Sequence, residues 1–328
     1  MRTGFLAVDS GGSGLRVAVG ALGEDGGGHG PLGRRASRKP VRTGARGIDP
    51  GHLMGQLLPM ARALAAETGV TRLGTAVLGA AGLATLGDAL RAELPAALTR
   101  ELGVRTVALA ADAVTAYVGA LGPRAGAVVA AGTGLIAVGT DLSRWRRADG
   151  WGHLLGDCGG GAWIGRAGLE AALRAHDGRE GGSAPLLARA EERFGPAAGL
   201  PGQVYPRSDR PAVLASFAPE VAACAAADPV AAEILRSAAR HLADSAAAVC
   251  PAGGEPLVAV TGGLRRLGDP LLAPLGEELT KRLPQARRTT AEGDPLDGAV
   301  RIATGLATGS PTLPSDDRML WVTTAPDG

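Results

Sequence analysis

The residues best placed for chemistry lie in one stretch, Gly150–Leu173, with the sequence GWGHLLGDCGGGAWIGRAGLEAAL. Asp157 stands just before three glycines, and the apolar positions from Ala162 onward recur near the helical period. Consecutive glycines cost backbone entropy, so they indicate a place where main chain approaches a ligand closely. A flexible connector is the alternative, but it does not need Trp151 and Trp163 in a chain with 3% aromatic residues. The stretch predicts one wall of a ligand site.

A glycine-rich turn joins two short apolar strands near the N-terminus. The strands are Phe5–Val8 and Leu15–Leu22, and the turn between them, Asp9–Gly14, has the sequence DSGGSG. A dinucleotide fingerprint or a P-loop places a helix after the glycines, so a strand there predicts a hairpin instead. The hairpin tip can offer backbone N–H groups to phosphates, and Asp9 can hold Mg²⁺ directly or through water. An ordinary hairpin with Asp as a turn former is the alternative.

A second hairpin repeats this arrangement about 120 residues later, which is what a duplicated domain would leave. Its strands are Gly126–Ala131 and Leu135–Val138, and its turn is Gly132–Gly134. Two such tips facing one cleft could clamp a polyphosphate from opposite sides. This repetition favours a ligand-binding role for both turns.

The elements that must position these motifs alternate between strands and helices. The first third has the predicted order βββαβαβα, with a third strand over 34–41, a helix from Asp49-Pro50 to about Thr68, and strands over 73–78 and 104–110. Later helices are predicted over 184–194, 212–227, 229–249, 270–282 and 296–306, and later strands over 256–260 and 286–290. We therefore expect an α/β protein with domains over 1–114 and 115–294, the second with a helical insertion. A last helix over about 295–308 packs back on the first domain, and 309–328 forms a tail that is a surface strap or partly disordered.

Length and composition limit the classes of protein to which the chain can belong. A chain of 328 residues suggests two domains, and a net charge of +2 makes no case for nucleic acid or an anionic membrane as partner. Cys158, Cys224 and Cys250 are far apart with no CxxC spacing, so neither a metal site nor a disulfide framework follows. No apolar run approaches the ~20 residues of a membrane helix, and no signal segment develops at the N-terminus. The expected location is the cytoplasm.

Four motifs, taken in order, resemble those of the actin-like ATPase-domain sugar kinases. They are DSGGSG from Asp9, GTG from Gly132, GWGHLLGD from Gly150 and TGG from Thr261. The chain looks most like the N-acetylglucosamine kinase group within the BadF/BadG/BcrA/BcrD-type ATPase family, and the resemblance covers roughly residues 3–308. The third motif, with the Trp163-Ile164-Gly165 that follows it, is the most specific. The resemblance implies two actin-like (ribonuclease H-like) domains with a cleft between them.

The resemblance also implies a role for each motif. Binding of ATP with Mg²⁺ is implied for Asp9, Gly11, Gly12, Ser13, Gly132, Thr133, Gly134, Gly262 and Gly263, with Asp9 nearest the metal. Sugar binding is implied for Trp151, Gly152, His153 and Asp157. Asp112 is implied as the catalytic base, although a helix N-cap is its other interpretation, just as a loop-stabilising role is the alternative for His153. The family commonly has Asp-Glu-Gly where this chain has Asp157-Cys158-Gly159, a difference that bears on sugar specificity.

The implied reaction is ATP-dependent phosphorylation of the 6-hydroxyl of an amino sugar, with N-acetylglucosamine first and glucosamine second. Phosphoryl transfer needs positioning and charge neutralisation more than covalent chemistry, which suits two glycine turns, one metal and one carboxylate. The resemblance also implies a homodimer. An ATPase activator with an iron–sulfur cluster is one alternative, but the three cysteines do not resemble a cluster pattern. A sugar sensor would need a DNA-binding module, and no such segment is apparent in the sequence.

Overall fold

The computed structural model describes residues 2–11, 14–23, 28–44 and 47–325. The predictions for Gly12 and Ser13 lie outside these residues. The chain forms two compact units, of which the first contains the residues up to Ala125, Thr140–Trp145 and the residues from Thr290 onward. The second contains Gly126–Gly139 and Arg146–Thr289. The sequence-based bounds, 1–114 and 115–294, divide the chain differently and stay a prediction.

Strands and helices alternate along the chain. The strands are β1 (Thr3–Gly11), β2 (Gly14–Leu22), β3 (Gly28–Ser37), β4 (Thr43–Gly44), β5 (Gly47–Ile48), β6 (Arg72–Ala80), β7 (Thr106–Ala111), β8 (Gly126–Ala131), β9 (Leu135–Thr140), β10 (Trp145–Asp149), β11 (Leu257–Thr261), β12 (Arg287–Arg288) and β13 (Leu320–Thr324). The helices are α1 (Pro50–Thr68), α2 (Leu83–Leu86), α3 (Asp88–Leu102), α4 (Asp112–Leu121), α5 (Gly161–His176), α6 (Ala184–Phe194), α7 (Leu200–Val204), α8 (Arg210–Ala215), α9 (Ala218–Cys224), α10 (Pro229–Val249), α11 (Asp269–Arg282) and α12 (Pro295–Ala307).

The first unit is built on a six-stranded sheet with the order β13-β7-β6-β1-β2-β3. β1, β6 and β7 are parallel to one another, while β2, β3 and β13 pair antiparallel with their neighbours. Helices cover both faces, with α4 and α12 packed on β1 and β6 and α1 packed on β2 and β3. This double covering explains why β1 and β6 are almost continuously apolar rather than alternating.

The second unit repeats this topology on a five-stranded sheet with the order β10-β9-β8-β11-β12. β8 and β9 form the hairpin that corresponds to β1 and β2, and β10 takes the place of β3. On the other side of β8, the parallel strands β11 and β12 correspond to β6 and β7. The α/β class, with two units of one design, confirms the fold predicted from the hairpin repeat.

Local signals account for the helix boundaries. The side chain of Asp49 accepts the N–H of His52 at 3.0 Å, Pro50 opens α1, and Gly69 ends it with φ of 68°. An Asp N-cap, a proline in the first turn and a left-handed glycine after the last turn together specify where a helix begins and ends. The observed bounds of α1 therefore agree with the predicted ones.

The last helix, α12, packs against α4 in the first unit. Glycines permit the close approach, since a Cβ on Gly298 would lie 1.9 Å from the carbonyl oxygen of Thr115, and one on Gly119 would lie 2.1 Å from that of Asp294. Backbone contact of this kind requires the absence of a side chain. The two glycines thus fix where the helices cross.

Several sequence-based elements differ from the structure. The third strand, predicted over 34–41, is β3 over Gly28–Ser37. The predicted tail contains β13, which pairs with β7 along 320–324 because its β-branched and aromatic residues suit an edge strand. The helix predicted over 212–227 is two helices, α8 and α9, because Pro219 has no N–H to donate to a preceding turn. β10 carries three charged residues among its five and gives no apolar alternation from which to predict it.

Among the described residues, no single helix is long and apolar enough to cross a membrane. The segments Arg210–Cys224 and Pro229–Val249 reach that length and composition only as a pair, with a bend of 119° between them.

Candidate active site

In the first unit, two candidate carboxylates lie at the same edge of the sheet. Asp9 is near the carboxyl end of β1, where it pairs in register with Gly79 of β6, and Gly79 pairs with Ala110 of β7. Asp112 follows directly after β7. One strand separates β1 from β7, so the two backbones are about 10 Å apart at ordinary strand spacing. The sheet thereby brings together residues more than one hundred positions apart in the chain.

Asp112 is the first residue of α4 rather than its N-cap, which is Ala111. The Asp112 side chain is exposed, and its Oδ1 accepts the N–H of Ala113 at 2.9 Å. A carboxylate in the first turn is favoured by the helix dipole. The N-cap interpretation is therefore wrong, and the structure places an exposed carboxyl group directly after a parallel strand.

Asp9 is engaged by a cation that the sequence did not identify. Its Oδ2 accepts two N–H groups from Arg16, at 2.9 and 2.7 Å, and Arg16 also donates to Asp294 at 2.6 Å. Burial raises the pKa of Asp9, and the hydrogen bond and charge of Arg16 oppose that rise. Neither Arg16 nor Asp294 is among the predicted site residues. The structure adds a bridge between them across 278 positions.

In the second unit, the two glycine turns adjoin. The turn Gly132–Gly134 follows β8 and Gly262 follows β11, and these strands are parallel neighbours in which Thr261, the last residue of β11, pairs with Ala130 of β8. Gly262 has φ of 92°, and a Cβ there would lie 2.3 Å from the carbonyl oxygen of Ala131. Gly263 has open space around it. Ligands of open α/β sheets bind outside the carboxyl ends of the strands, which is where both turns lie.

The turn Gly132–Gly134 is held against the first residues of α5. The carbonyl oxygens of Gly132 and Thr133 accept the N–H groups of Gly161 and Ala162, both at 2.8 Å. Two orphan donors of the helix start are thus satisfied by the turn. Thr133 is exposed at the tip, so its hydroxyl remains accessible to a ligand.

Asp157 fixes the shape of the loop 150–157, and its side chain is bound within that loop. Its Oδ1 accepts the N–H of Gly152 at 3.0 Å, and a Cβ on Gly134 would lie 2.2 Å from its Oδ2. Burial raises the pKa of Asp157, while hydrogen bonds from the N–H groups of Gly152 and Leu135 lower it. The carboxylate therefore ties the loop 150–157 to the neighbouring turn, a role in addition to the sugar contact that the resemblance implies.

Asp149 is a site residue that sequence reasoning missed. Its Oδ1 accepts the N–H of Asp157 at 2.6 Å and its Oδ2 accepts that of Cys158 at 3.0 Å. Asp149 and Asp157 both have positive φ, at 57° and 54°. Asp tolerates this conformation better than most residues, so an Asp before Gly150 was the available signal. The carboxylates of Asp149 and Asp157 thus fix the path of the loop main chain through their hydrogen bonds.

Trp151 and His153 lie on the accessible side of that loop. Trp151 is 65% exposed, with the guanidinium of Arg147 4.9 Å from its ring centroid. A cation over an aromatic face is a favourable arrangement that orients the ring. His153 is half-buried and lines a cavity.

Within the described residues, no group of three or more His, Cys, Asp or Glu side chains is arranged to hold a metal ion. Cys158 and Cys224 are half-buried and Cys250 is buried, and all three are free thiols. A metal ion bound by the described residues would therefore take at most two such side chains together with a ligand's own oxygens, a mode that Mg²⁺ commonly adopts with phosphates.

The sequence and the fold are similar to those of known proteins. The sequence profile of the BadF/BadG/BcrA/BcrD ATPase family matches residues 54–303. A candidate N-acetylglucosamine kinase from Chromobacterium violaceum is 26% identical with a TM-score of 0.66, and the match covers 93% of this chain and 98% of that chain. A candidate N-acetylglucosamine kinase from Porphyromonas gingivalis is 19% identical with a TM-score of 0.63, covering 90% and 97% of the two chains.

One curated relative is similar over a shorter stretch. The N-acetylmuramic acid/N-acetylglucosamine kinase of Clostridium acetobutylicum is 42% identical over 69 residues, which are 21% of this chain and 22% of that protein's length. The chain thus matches about a fifth of the length of this relative.

Proposed function

We propose, since the chain belongs to the BadF/BadG/BcrA/BcrD ATPase family, that it transfers a phosphoryl group from ATP to the 6-hydroxyl of an amino sugar. N-acetylglucosamine is the first candidate substrate and glucosamine the second. The observation that carries the proposal is Asp112, an exposed carboxylate at the end of β7, on the same sheet edge as Asp9. The full-length likeness to candidate N-acetylglucosamine kinases supports it.

In the proposed reaction, the Asp112 carboxylate accepts the proton of the sugar 6-hydroxyl. A bond forms between that oxygen and the γ-phosphorus, while the bond from this phosphorus to the β–γ bridging oxygen breaks. The base orients the hydroxyl and removes its proton as the new bond forms. The glycine turns at Gly132–Gly134 and Gly262-Gly263 would supply main-chain contacts to the nucleotide, because no side chain obstructs its approach there.

The residues present fit a single-carboxylate Mg²⁺ site. Asp9 would hold the ion together with the ATP phosphates and water, a coordination that Mg²⁺ favours over an all-protein cage. When bound, the ion neutralises charge on the phosphate oxygens. Arg16 holds one carboxylate oxygen of Asp9 and so sets the direction of the other.

The proposal is tested by sugar-dependent ADP release with Mg²⁺-ATP. N-acetylglucosamine, glucosamine, glucose and no sugar are compared, with Asp112→Asn alongside. We expect one amino sugar to stimulate release and the variant to lose roughly 10²- to 10⁴-fold in rate, the usual contribution of a general base. Asp88→Asn is the matched control, because Asp88 is also an exposed first residue of a helix in the same unit.

Two further measurements separate the alternatives. N-acetylglucosamine lacking its 6-hydroxyl should accept no phosphate, which tests the position. Equal ADP release with and without sugar would instead favour an ATPase without kinase activity, and an undiminished rate in Asp112→Asn would reject the assigned base.

The homodimer and the cytoplasmic location implied from the sequence stay predictions. Light scattering of the purified protein tests the homodimer.

A further inference from the structure

A run of cationic side chains extends past the end of β3 in the first unit. The two within the strand, Arg34 and Arg35, are each paired with a carboxylate, of Asp297 and Glu67 respectively. Three more cations follow the strand and are exposed, namely Arg38, Lys39 and Arg42. Among the described residues, the side chains of these three make no ion pair or hydrogen bond. The cationic segment 38–42 therefore carries charge that the protein does not neutralise.

The sheet places this segment at the edge that carries Asp9. β3 runs parallel to β1, because each of them pairs antiparallel with β2, so their carboxyl ends lie at one edge. Ser37, the last residue of β3, pairs with Leu15, which pairs with Ser10 on the other side. At ordinary strand spacing, the end of β3 is about 5 Å from β2 and about 10 Å from β1. A long side chain from the segment can thus reach the turn between β1 and β2.

Gly14 brings the segment directly against this turn, the first of the predicted phosphate-binding turns. Gly14 has φ of 133°, and a Cβ there would lie 2.0 Å from the carbonyl oxygen of Ser37 and 3.1 Å from the Cα of Arg38. Only a residue without a side chain permits this approach. Arg38 is therefore a neighbour of the turn.

The main chain of the segment is held in place by the core and by α1. Val41 is buried in the hydrophobic core of the unit. The N–H of Arg42 donates to Nδ1 of His52 at 3.0 Å, and its carbonyl oxygen accepts the N–H of Asp49 at 2.9 Å. The segment thus presents its charges from an ordered main chain, which lowers the entropic cost of binding an anion.

The other charged groups beside the turn do not attract a phosphate. Arg16, the first cation on β2, donates to the carboxylates of both Asp9 and Asp294, and the three ionised side chains together are net negative. Phosphoryl transfer requires neutralisation of charge on the phosphate oxygens. Exposed guanidinium and ammonium groups bind those oxygens through charge-assisted hydrogen bonds.

We propose that Arg38, Lys39 and Arg42 form a phosphate-binding surface of the candidate active site. The inference rests on the proposed function and adds residues to its site. The chemistry recognised is a phosphate group, which either the nucleotide or the sugar 6-phosphate product can supply. We expect the nucleotide, because Arg38 adjoins the turn between β1 and β2.

The chain contains two lysine residues, Lys39 and Lys281, which permits a test on the unaltered protein. Both are exposed, and Lys281 lies on α11 in the second unit. A limiting amount of an amine-acylating reagent is added, and peptide mass spectrometry measures the modification of each lysine. Mg²⁺-ADP and inorganic tripolyphosphate should slow acylation of Lys39 but not of Lys281, and adenosine should slow neither. Protection of Lys39 by N-acetylglucosamine 6-phosphate alone would support the surface with the product as the source of the phosphate.

Calorimetry of ligand binding provides the second measurement. Arg38→Gln, Lys39→Gln and Arg42→Gln should each weaken Mg²⁺-ADP binding roughly 2- to 5-fold, as for exposed ion pairs, with the largest loss at Arg38. The triple variant should lose roughly 10- to 100-fold, keep its affinity for adenosine, and differ less from the unaltered protein as salt rises. Arg35→Gln is the matched control and should keep its ADP affinity, because Glu67 already neutralises that charge.

The outcomes separate this inference from the proposed function. Unchanged acylation of Lys39 with every phosphate compound, in a protein that phosphorylates an amino sugar, overturns the surface alone. Protection of Lys39 by Mg²⁺-ADP, without phosphorylation of any sugar, supports the surface and rejects the proposed function. Adenosine that protects Lys39 as well as Mg²⁺-ADP does would show that no phosphate contact is needed, and would overturn the inference.

Discussion

Replacing Asp149 with asparagine should loosen the loop 150–157. The carboxylate of Asp149 accepts the N–H groups of Asp157 and Cys158, one on each oxygen. In Asp149→Asn, the amide oxygen can accept only one of them, and the amide nitrogen faces the other as a second donor. The shape of the side chain is kept, so the change isolates the hydrogen bonding. At least one of the two backbone donors loses its partner.

The size of the effect follows from the charge on the acceptor. A hydrogen bond to a charged group contributes about 1.5–3 kcal/mol, and Asp149 is half-buried, so we expect the lower half of that range. Since about 1.4 kcal/mol corresponds to a factor of ten, local opening should become roughly 10- to 40-fold more frequent. Hydrogen-exchange mass spectrometry on a peptide covering 155–160 measures this directly. The KM for the sugar should rise in parallel, because Trp151, a predicted sugar-binding residue, lies in the same loop.

Asp141→Asn is the matched control for this experiment. Asp141 also accepts two backbone N–H groups, from Ser143 and Arg144, but both bonds fall on Oδ1 and lie in an exposed turn outside the loop. Because the amide oxygen of asparagine can keep both bonds, any exchange effect should be small, stay within 143–144 and leave sugar kinetics unchanged. Unaltered exchange at 155–160 in Asp149→Asn would refute the assignment of Asp149 as the positioning residue.

Three further predictions concern stability. Gly262→Ala should lower the free energy of unfolding by more than about 2 kcal/mol, since its Cβ would meet the Ala131 carbonyl at positive φ, whereas Gly263→Ala, in open space, should have little effect in the same urea titration. Ser183→Ala should cost about 1–3 kcal/mol, because the buried hydroxyl caps α6 and donates to Asp228, the N-cap of α10; an unchanged urea midpoint would contradict this role. Burial raises the pKa of Cys250 from 9.0 to about 11, so the folded thiol keeps its proton where the unfolded one ionises. The free energy of unfolding should therefore fall as pH rises from 9 to 11, and Cys250→Ala should flatten that slope in urea titrations across the range.

Local signals in the sequence predicted much of the fold. The Asp-Pro start of α1, the turn Gly132–Gly134 and the helical periods of α6 and α10 each depend on residues within one or two turns of one another, so their bounds agree with the structure. The same signals failed where a strand had no apolar alternation, as in β10, or where the partner was distant, as in the pairing of β13 with β7. Pairing at a sheet edge depends on which strand has unpaired backbone N–H and C=O groups, and the periodicity of apolar residues does not reveal which strand that is.

The sequence by itself determined which residue types stand at the strand ends, namely Asp9, Asp112 and the glycines after β8 and β11. Only the tertiary structure decided their partners. Arg16 bridges Asp9 to Asp294 because β1, β2 and the start of α12 converge, and Asp157 turns back onto its own loop because Asp149 holds that loop's main chain. Hydrogen bonds are short and directional, so which carboxylate is engaged and which is accessible depends on the arrangement of strands and not on residue type.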